Sequence, residues 1–181
     1  MLNFYWGAVG SGKTLTLLRE YADLKRLNQK NVLLVKPLKD TRTTNVYSRF
    51  GPMEAIPDIY LADTPESLAE FSTQAYGAQV VLVDEVQFLA EPWIEKFREL
   101  ADAGIEVRCY GLRNDSNRNL FPTSLRLLNV ADNIIEIPST CECCGAAAKF
   151  SQIKQGSEPG VGFGYFGVCS RCYRDHKQPN L

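Results

Sequence analysis

No run of apolar residues in this 181-residue chain is long enough to cross a bilayer, which takes about 20 residues in a helix. Its N-terminus lacks the basic segment and small-residue cleavage site of a signal peptide, so no membrane partner and a cytoplasmic location are expected. Internal repeats and low-complexity segments are absent as well. There is little excess charge of either sign: the net charge is −1, with lysine and arginine spread along the chain. That argues against a protein whose main work is gripping nucleic acid. Histidine occurs once, as His176, and is read as a surface residue. Cysteine does not occur before Cys109, yet five of the six lie in the last 41 residues. In a reducing compartment such clustering suggests a metal before it suggests disulfides. The hydrophobic fraction, 45 %, suffices for a proper core, and the length suits one α/β domain with a small appendage.

The stretch FYWGAVGSGKTLTLL, residues 4–18, carries the strongest motif. Gly7-x-x-x-x-Gly12-Lys13-Thr14 meets the P-loop pattern in full. Average residue frequencies would produce the four fixed positions in roughly 1 in 100 chains of this length. The flanks add weight. Leu2, Phe4 and Trp6 alternate as in a buried strand, and Leu15, Leu17, Leu18, Tyr21, Leu24 and Leu27 recur at helical spacing. A glycine-rich turn between strand and helix can point its amides at an anion, where the helix N-terminus adds positive potential. Gly7, Ala8, Val9, Gly10, Ser11, Gly12, Lys13 and Thr14 are therefore expected to hold ATP. Lys13 would reach the β/γ-phosphates and Thr14 would ligate Mg²⁺.

Further strands are expected at 31–36 (NVLLVK), 58–61, 79–83 (QVVLV), 105–110 (IEVRCY) and 133–137. Residues 37–48 are polar and read as a loop. Thr64 caps a helix that Pro65 opens, with Leu68, Phe71 and Ala75 facing inward. Pro92 opens another, with Trp93, Phe97, Leu100 and Ala101 inside. Strands alternating with helices imply a P-loop NTPase-like α/β fold with a mostly parallel sheet. From about Thr140 the pattern turns to glycine, cysteine and aromatics. The expected division is a nucleotide-binding domain over 1–139 and a zinc-binding domain over 140–181.

Residues 80–88, VVLVDEVQF, read as a Walker B strand that delivers Asp84 to the crevice where ligands bind in open α/β sheets. Asp84 would hold Mg²⁺ through water. Glu85 is placed to accept a proton from water or from a substrate hydroxyl. Cys141-x-x-Cys144 and Cys169-x-x-Cys172, 24 residues apart, fit a closed four-sulfur structural zinc site. Cys143 could replace Cys144 as a ligand or stay free. Cys109 is expected in the core of its strand.

In order along the chain, GAVGSGKT, KDTR (39–42), VDEVQF (83–88), CYGLRNDSNRNLF (109–121), LLNVADNIIEI (127–137) and CECC … YFGVCSRC (141–172) resemble the thymidine kinase family of the zinc-containing type. The resemblance covers nearly the whole chain. It implies transfer of the ATP γ-phosphate to the 5′-hydroxyl of thymidine or deoxyuridine, with Glu85 as general base. It implies that Gln87 and Arg42 join Lys13, Thr14 and Asp84 around ATP and Mg²⁺, with Asp40 and Arg42 near sugar and phosphates. Phe88, Leu112 and Phe121 would wall the base pocket. Gly160, Gly162 and Tyr165 would belong to a lasso loop pinned by the zinc, closing over the nucleoside and excluding water. A homotetramer and feedback inhibition by dTTP are implied too. The chain departs from the family in two places. Asp115-Ser116-Asn117 stand where an aromatic residue is usual, at a cost of about 1–3 kcal/mol if that residue stacks on the base. The lasso, EPGVGFGYFG (158–167), lacks paired glycines before its tyrosine, and Phe163 or Phe166 would have to compensate. The competing class is a P-loop ATPase whose zinc ribbon binds nucleic acid or a protein partner. Against it, residues 140–181 are not strongly basic.

Overall fold

The β-branched and leucine-rich runs become the strands of one sheet in a computed structural model, which describes residues 1–26, 31–158 and 164–179. Along the chain, β1 (Leu2–Trp6) is followed by α1 (Lys13–Arg26) and β2 (Val32–Pro37). A small hairpin, β3 (Val46–Tyr47) and β4 (Glu54–Ala55), precedes β5 (Ile59–Leu61) and α2 (Pro65–Ala75). Next come β6 (Val80–Val83), α3 (Glu91–Asp102), β7 (Glu106–Gly111), α4 (Pro122–Val130) and β8 (Asn133–Glu136). The six-stranded sheet runs β5-β2-β6-β7-β1-β8. Every pairing in it is parallel.

A parallel sheet must be covered on both faces, and its side chains divide accordingly. Leu2, Phe4, Val35, Val81, Val83, Val107 and Cys109 face one layer, with Phe71 of α2, Trp93 and Phe97 of α3, and Leu127 of α4. Leu34, Val80, Leu82 and Tyr110 face the other, against Leu17 and Leu18 of α1. In the first layer Phe71 meets Trp93 and Phe97 edge-on, with ring centres 5.4 and 5.8 Å apart. In the second, the register opposes Tyr5 to Tyr110, and their rings stack at 4.6 Å. Trp93 is the largest of the fully buried side chains. Trp93→Ala is expected to destabilise the fold by about 3–5 kcal/mol, read as a lower urea midpoint at unchanged slope. A loss below about 1 kcal/mol would contradict its place in the core.

The start of α2 follows the expected chemistry. The Thr64 hydroxyl accepts from the Ser67 amide at 3.2 Å, and Pro65 takes the first helical position. Two elements correct the sequence reading. Residues 37–48, read as a loop, include β3, whose Val46 is fully buried. The helix α4 was not foreseen, and its N-cap, Phe121, has no capping side chain. It is tied down from outside instead: Thr123 donates its hydroxyl to Leu89 O, and Ser124 donates to Leu112 O at 2.6 Å. Leu27 of the expected helical stripe lies outside the described residues.

After β8 come two antiparallel pairs, β9 (Ser139–Thr140) with β10 (Ala147–Ala148) and β11 (Phe150–Ile153) with β12 (Tyr165–Val168), and then α5 (Ser170–Arg174). Their own small core contains Ala148, Phe166, Val168 and three buried cysteines, and it also takes in Ala8 of the glycine loop.

Candidate active site and metal centre

The glycine loop joins β1 to α1, at the carboxyl end of the sheet. Gly10 and Gly12 have φ of +80° and +82°, a conformation that side chains with a Cβ rarely adopt. Gly7 is required for a different reason: a Cβ there would stand 2.6 Å from the carbonyl oxygen of Ile137. Lys13 is buried and donates its amine to the carbonyls of Gly7 and Ala8, both at 3.0 Å. Burial pushes that amine down to about 8, against the opposing pull of Glu85 and Asp84. The Thr14 hydroxyl lies 3.3 Å from both carboxylate oxygens of Asp84, so the two expected magnesium partners meet. A hydroxyl beside a carboxylate is the oxygen donor set that Mg²⁺ selects.

Asp84 and Glu85 follow directly on β6 and are both buried. Glu85 has φ of +49°, in the left-handed region that residues with a Cβ rarely adopt. Their environments drive the two carboxyls apart. Burial, and then the charge of Glu85, push Asp84 up to about 7. Burial also acts to raise Glu85, but Arg42 and Lys13, with a hydrogen bond from Gln87, outweigh it and hold this carboxyl below its ordinary range. Adjacent acids with opposite shifts mark a site where the two take different roles.

Glu85 is held from two sides. Arg42 pairs with one carboxylate oxygen. Gln87 Nε2 donates to the other at 2.5 Å, while Gln87 Oε1 accepts from the Leu112 amide at 2.9 Å. Arg42 is fixed in turn by Asp40, which accepts from Nε at 2.7 Å and from a terminal nitrogen at 3.1 Å. Burial works against the Arg42 charge, yet Glu85 and Asp40 together strengthen it. Asp40 also accepts from Lys36, only 1 % exposed, at 3.1 Å. Lys36 further donates to the carbonyls of Thr43 and Asn45, ordering the loop before β3.

Two cavities meet at these residues. The polar one is lined by the glycine loop, Thr14, Lys36, Asp40, Arg42, Arg49, Asp84 and Glu85. The second, of about 350 Å³, is more apolar and shares Val9, Arg42, Arg49, Glu85 and Leu112 with the first. Phe88, Phe121 and Tyr165 line it, as do Asn114, Asp115, Ser116, Asn117 and Ser151. Phe88 and Phe121 meet edge-on, their ring centres 6.4 Å apart. Leu112, Phe88, Phe121 and Tyr165 are thus brought together, whereas Asp40 lines the polar cavity alone. Gly160, Gly162 and Phe163 lie outside the described residues. Lys36, Arg49 and Ser151 were missed by the sequence reading. A lysine ending a buried strand was a usable signal for the first. Arg49 and Ser151 carry none without the hairpins that present them.

The sulfurs of Cys141, Cys144, Cys169 and Cys172 all lie within 4.8 Å of one another. Tetrahedral zinc with four thiolates sets its sulfurs about 3.8 Å apart, and Cys144 and Cys169 stand at 3.7 Å. The set fits structural zinc. Cys143 stands outside this quartet, its sulfur 3.6 Å from the Lys177 carbonyl. Cys109 is fully buried in β7 and His176 is exposed, both as expected.

A glycine cradle between strand and helix, with a lysine inside it and a Walker B acid at 3.3 Å from its threonine, defines a P-loop phosphate-binding protein. The family model described as thymidine kinase matches residues 1–173, and the chain belongs to that family. It is 38 % identical over 152 residues to a thymidine kinase of Encephalitozoon cuniculi, covering 82 % of this chain and 70 % of that protein. A Vibrio vulnificus thymidine kinase is 31 % identical over 186 residues, covering 95 % of each chain. One from Pseudothermotoga lettingae is 31 % identical over 175 residues, covering 92 % of this chain and 91 % of that one. Likeness to solved structures is slighter: a Pif1 helicase from Candida albicans has 15 % identity and a TM-score of 0.49, over 81 % of this chain and 38 % of that one. Family membership makes the chain a kinase. Among the described residues, no helix is long and apolar enough to cross a membrane.

Proposed function

We propose that the chain transfers the γ-phosphate of ATP to the 5′-hydroxyl of thymidine or deoxyuridine, giving the monophosphate for pyrimidine deoxynucleotide salvage in the cytoplasm. The observation that carries this reading is the position of Glu85 on the wall shared by both cavities. A carboxylate at that seam reaches a hydroxyl entering from the apolar side and a phosphoryl group entering from the polar side. The apolar cavity has the size and aromatic walls that suit a nucleoside base. Residues 7–14 would cradle the triphosphate, with Lys13 and Arg42 against its charge. Thr14 and Asp84 would hold Mg²⁺, which neutralises charge on the phosphates when bound. Glu85 takes the proton of the hydroxyl, and Gln87 keeps it aimed. Little covalent work is left to the protein, so positioning and electrostatics dominate. Residues 1–139 would act as the nucleotide-binding domain, and residues 140–181 as a zinc-held lasso domain closing on the acceptor. The family resemblance supports a homotetramer inhibited by dTTP.

The test is a transfer assay with γ-³²P-ATP and Mg²⁺, offering thymidine, deoxyuridine, deoxycytidine or no acceptor. Label moving to thymidine or deoxyuridine supports the reading. Label released only as free phosphate, at a rate indifferent to nucleoside, would overturn it in favour of an ATPase. Gly111→Ala offers a subtler check. A Cβ there would stand 2.5 Å from Gln87 Oε1 and 2.8 Å from Val86 Cγ1. Displacing Gln87 swings the base, and misplacement by about 1 Å costs up to about 100-fold in rate. A fall in kcat with an unchanged Kd for ATP is expected, and an unchanged kcat would refute the role of Gln87.

A further inference from the structure

One wall of the apolar cavity is a single loop, and the cysteine lobe holds it from outside. Asn114, Asp115, Ser116 and Asn117 line the cavity in succession. The loop is braced within itself. Asp115 Oδ1 accepts from the amides of Asn117 and Asn119 at 2.9 and 2.8 Å, and Asn114 Nδ2 donates to Arg118 O at 3.0 Å. A backbone bridge joins Asn114 to Leu120. So braced, the loop holds its own shape, and its contacts with other segments set where it stands.

The lobe supplies such contacts from α5 and β11. Tyr173, the residue after Cys172, donates its hydroxyl to the Ser116 carbonyl at 2.7 Å, across 57 residues of sequence. Its ring packs on Phe150 of β11, with centres 5.7 Å apart. Arg118, at φ of +68°, lays its guanidinium 4.7 Å from the Tyr173 ring centre and 5.7 Å from that of Phe150. The ring is thus fixed on two sides while its hydroxyl reaches the pocket wall. The backbone of Tyr173 is fixed by the same knuckle, its amide donating to Cys169 O at 2.9 Å.

We propose that Tyr173 is a positioning residue for the acceptor site: by its hydrogen bond to Ser116 it straps the cavity wall to the cysteine knuckle and so sets the affinity for the acceptor. The proposal rests on the reading that the nucleoside occupies this cavity. Tyr173 is not among the residues lining either cavity, and its side-chain hydrogen bond goes to the acceptor wall, so removing that bond should weigh mainly on the acceptor.

Tyr173→Phe keeps the ring and removes only the strap. It is expected to raise the KM for thymidine about threefold to tenfold, the range of one neutral hydrogen bond, with kcat and the KM for ATP within about twofold. Tyr173→Leu, which also loses the ring contacts, should raise it further. Zinc content and thermal midpoint are measured on each variant, because a merely structural role would lower both and change the two KM values alike. An unchanged KM for thymidine in Tyr173→Phe with zinc retained would overturn the proposal. Amide exchange provides an independent arm. In Tyr173→Phe the Asn117 and Asn119 amides should exchange faster without any nucleoside present. If the wild-type chain phosphorylated no nucleoside, the functional reading would fall. The strap would then stand or fall on that exchange.

Discussion

Glu85→Gln is expected to lower kcat for phosphoryl transfer about 10²- to 10⁴-fold, the range for a lost general base. The substitution preserves shape and removes the carboxylate that can take the proton. The Gln87 amide and the Arg42 guanidinium both now donate to Glu85. A glutamine there offers them one acceptor oxygen, so its amide group must face a donor. Some loss of order around Arg42 should accompany the loss of rate. No hydrogen bond from Glu85 builds the phosphate cradle, since Lys13 is anchored on the carbonyls of Gly7 and Ala8 and Thr14 meets Asp84, although the Glu85 charge favours the Lys13 ammonium. Losing the Glu85 charge removes both a support of the Lys13 ammonium and a repulsion on the triphosphate, so the Kd for ATP should move far less than kcat. The measurement is label transfer from γ-³²P-ATP beside equilibrium binding of a non-hydrolysable analogue. A variant that keeps more than about a tenth of the wild-type kcat would remove Glu85 from the role of base.

Removal of the metal should have the second large effect. The C-terminal lobe has a small apolar core, chiefly Ala148, Phe166 and Val168 beside the cysteines. Such a core cannot offset the entropy of ordering its segment, and structural zinc contributes about 10–16 kcal/mol in comparable peptides. Purified protein is expected to carry stoichiometric zinc. Cys172→Ser, or chelation under mild denaturant, should release it, melt the lobe and lower the thermal midpoint by about 10 °C or more. Activity should go with it, since β11 supplies Ser151, whose hydroxyl accepts from the Val9 amide at 3.0 Å. Cys143→Ser, outside the sulfur quartet, should stay within about 0.5 kcal/mol of wild type. A zinc-free chain with full activity and an unaltered midpoint would refute the metal centre. Equal loss in Cys143→Ser would refute the choice of ligands.

What could be read in advance was local. The glycine loop, the strand ending in Asp84-Glu85 and the paired CxxC turns each carry their chemistry within a few adjacent residues. The buried strands announced themselves as continuous β-branched runs, because a parallel sheet leaves no polar face. The helix α4 did not. Its leucines at 125, 127 and 128 follow no single stripe, Leu125 is exposed, and its start depends on Thr123 and Ser124 bonding to distant carbonyls. The hairpin of β3 and β4 was hidden for a related reason. It has one fully buried valine, and the lysine that orders the preceding loop belongs to another strand. Arg49 was therefore invisible as a cavity residue. The choice between Cys143 and Cys144 was equally a matter of three dimensions.

The glycine loop belongs to two cores at once. Ala8 is buried among the cysteines of the lobe, the Val9 amide donates to Ser151, and a Cβ on Gly167 would stand 2.7 Å from the Val9 carbonyl. A ligand that stiffens residues 7–14 therefore stiffens the lobe with them. Linkage makes this a two-way account: whatever free energy a bound nucleotide lends to the folded lobe, a well-folded lobe returns as nucleotide affinity. The cysteine quartet, far in sequence from the phosphate loop, would thereby act as an effector of it, and partial metal loss would register first as weaker nucleotide binding.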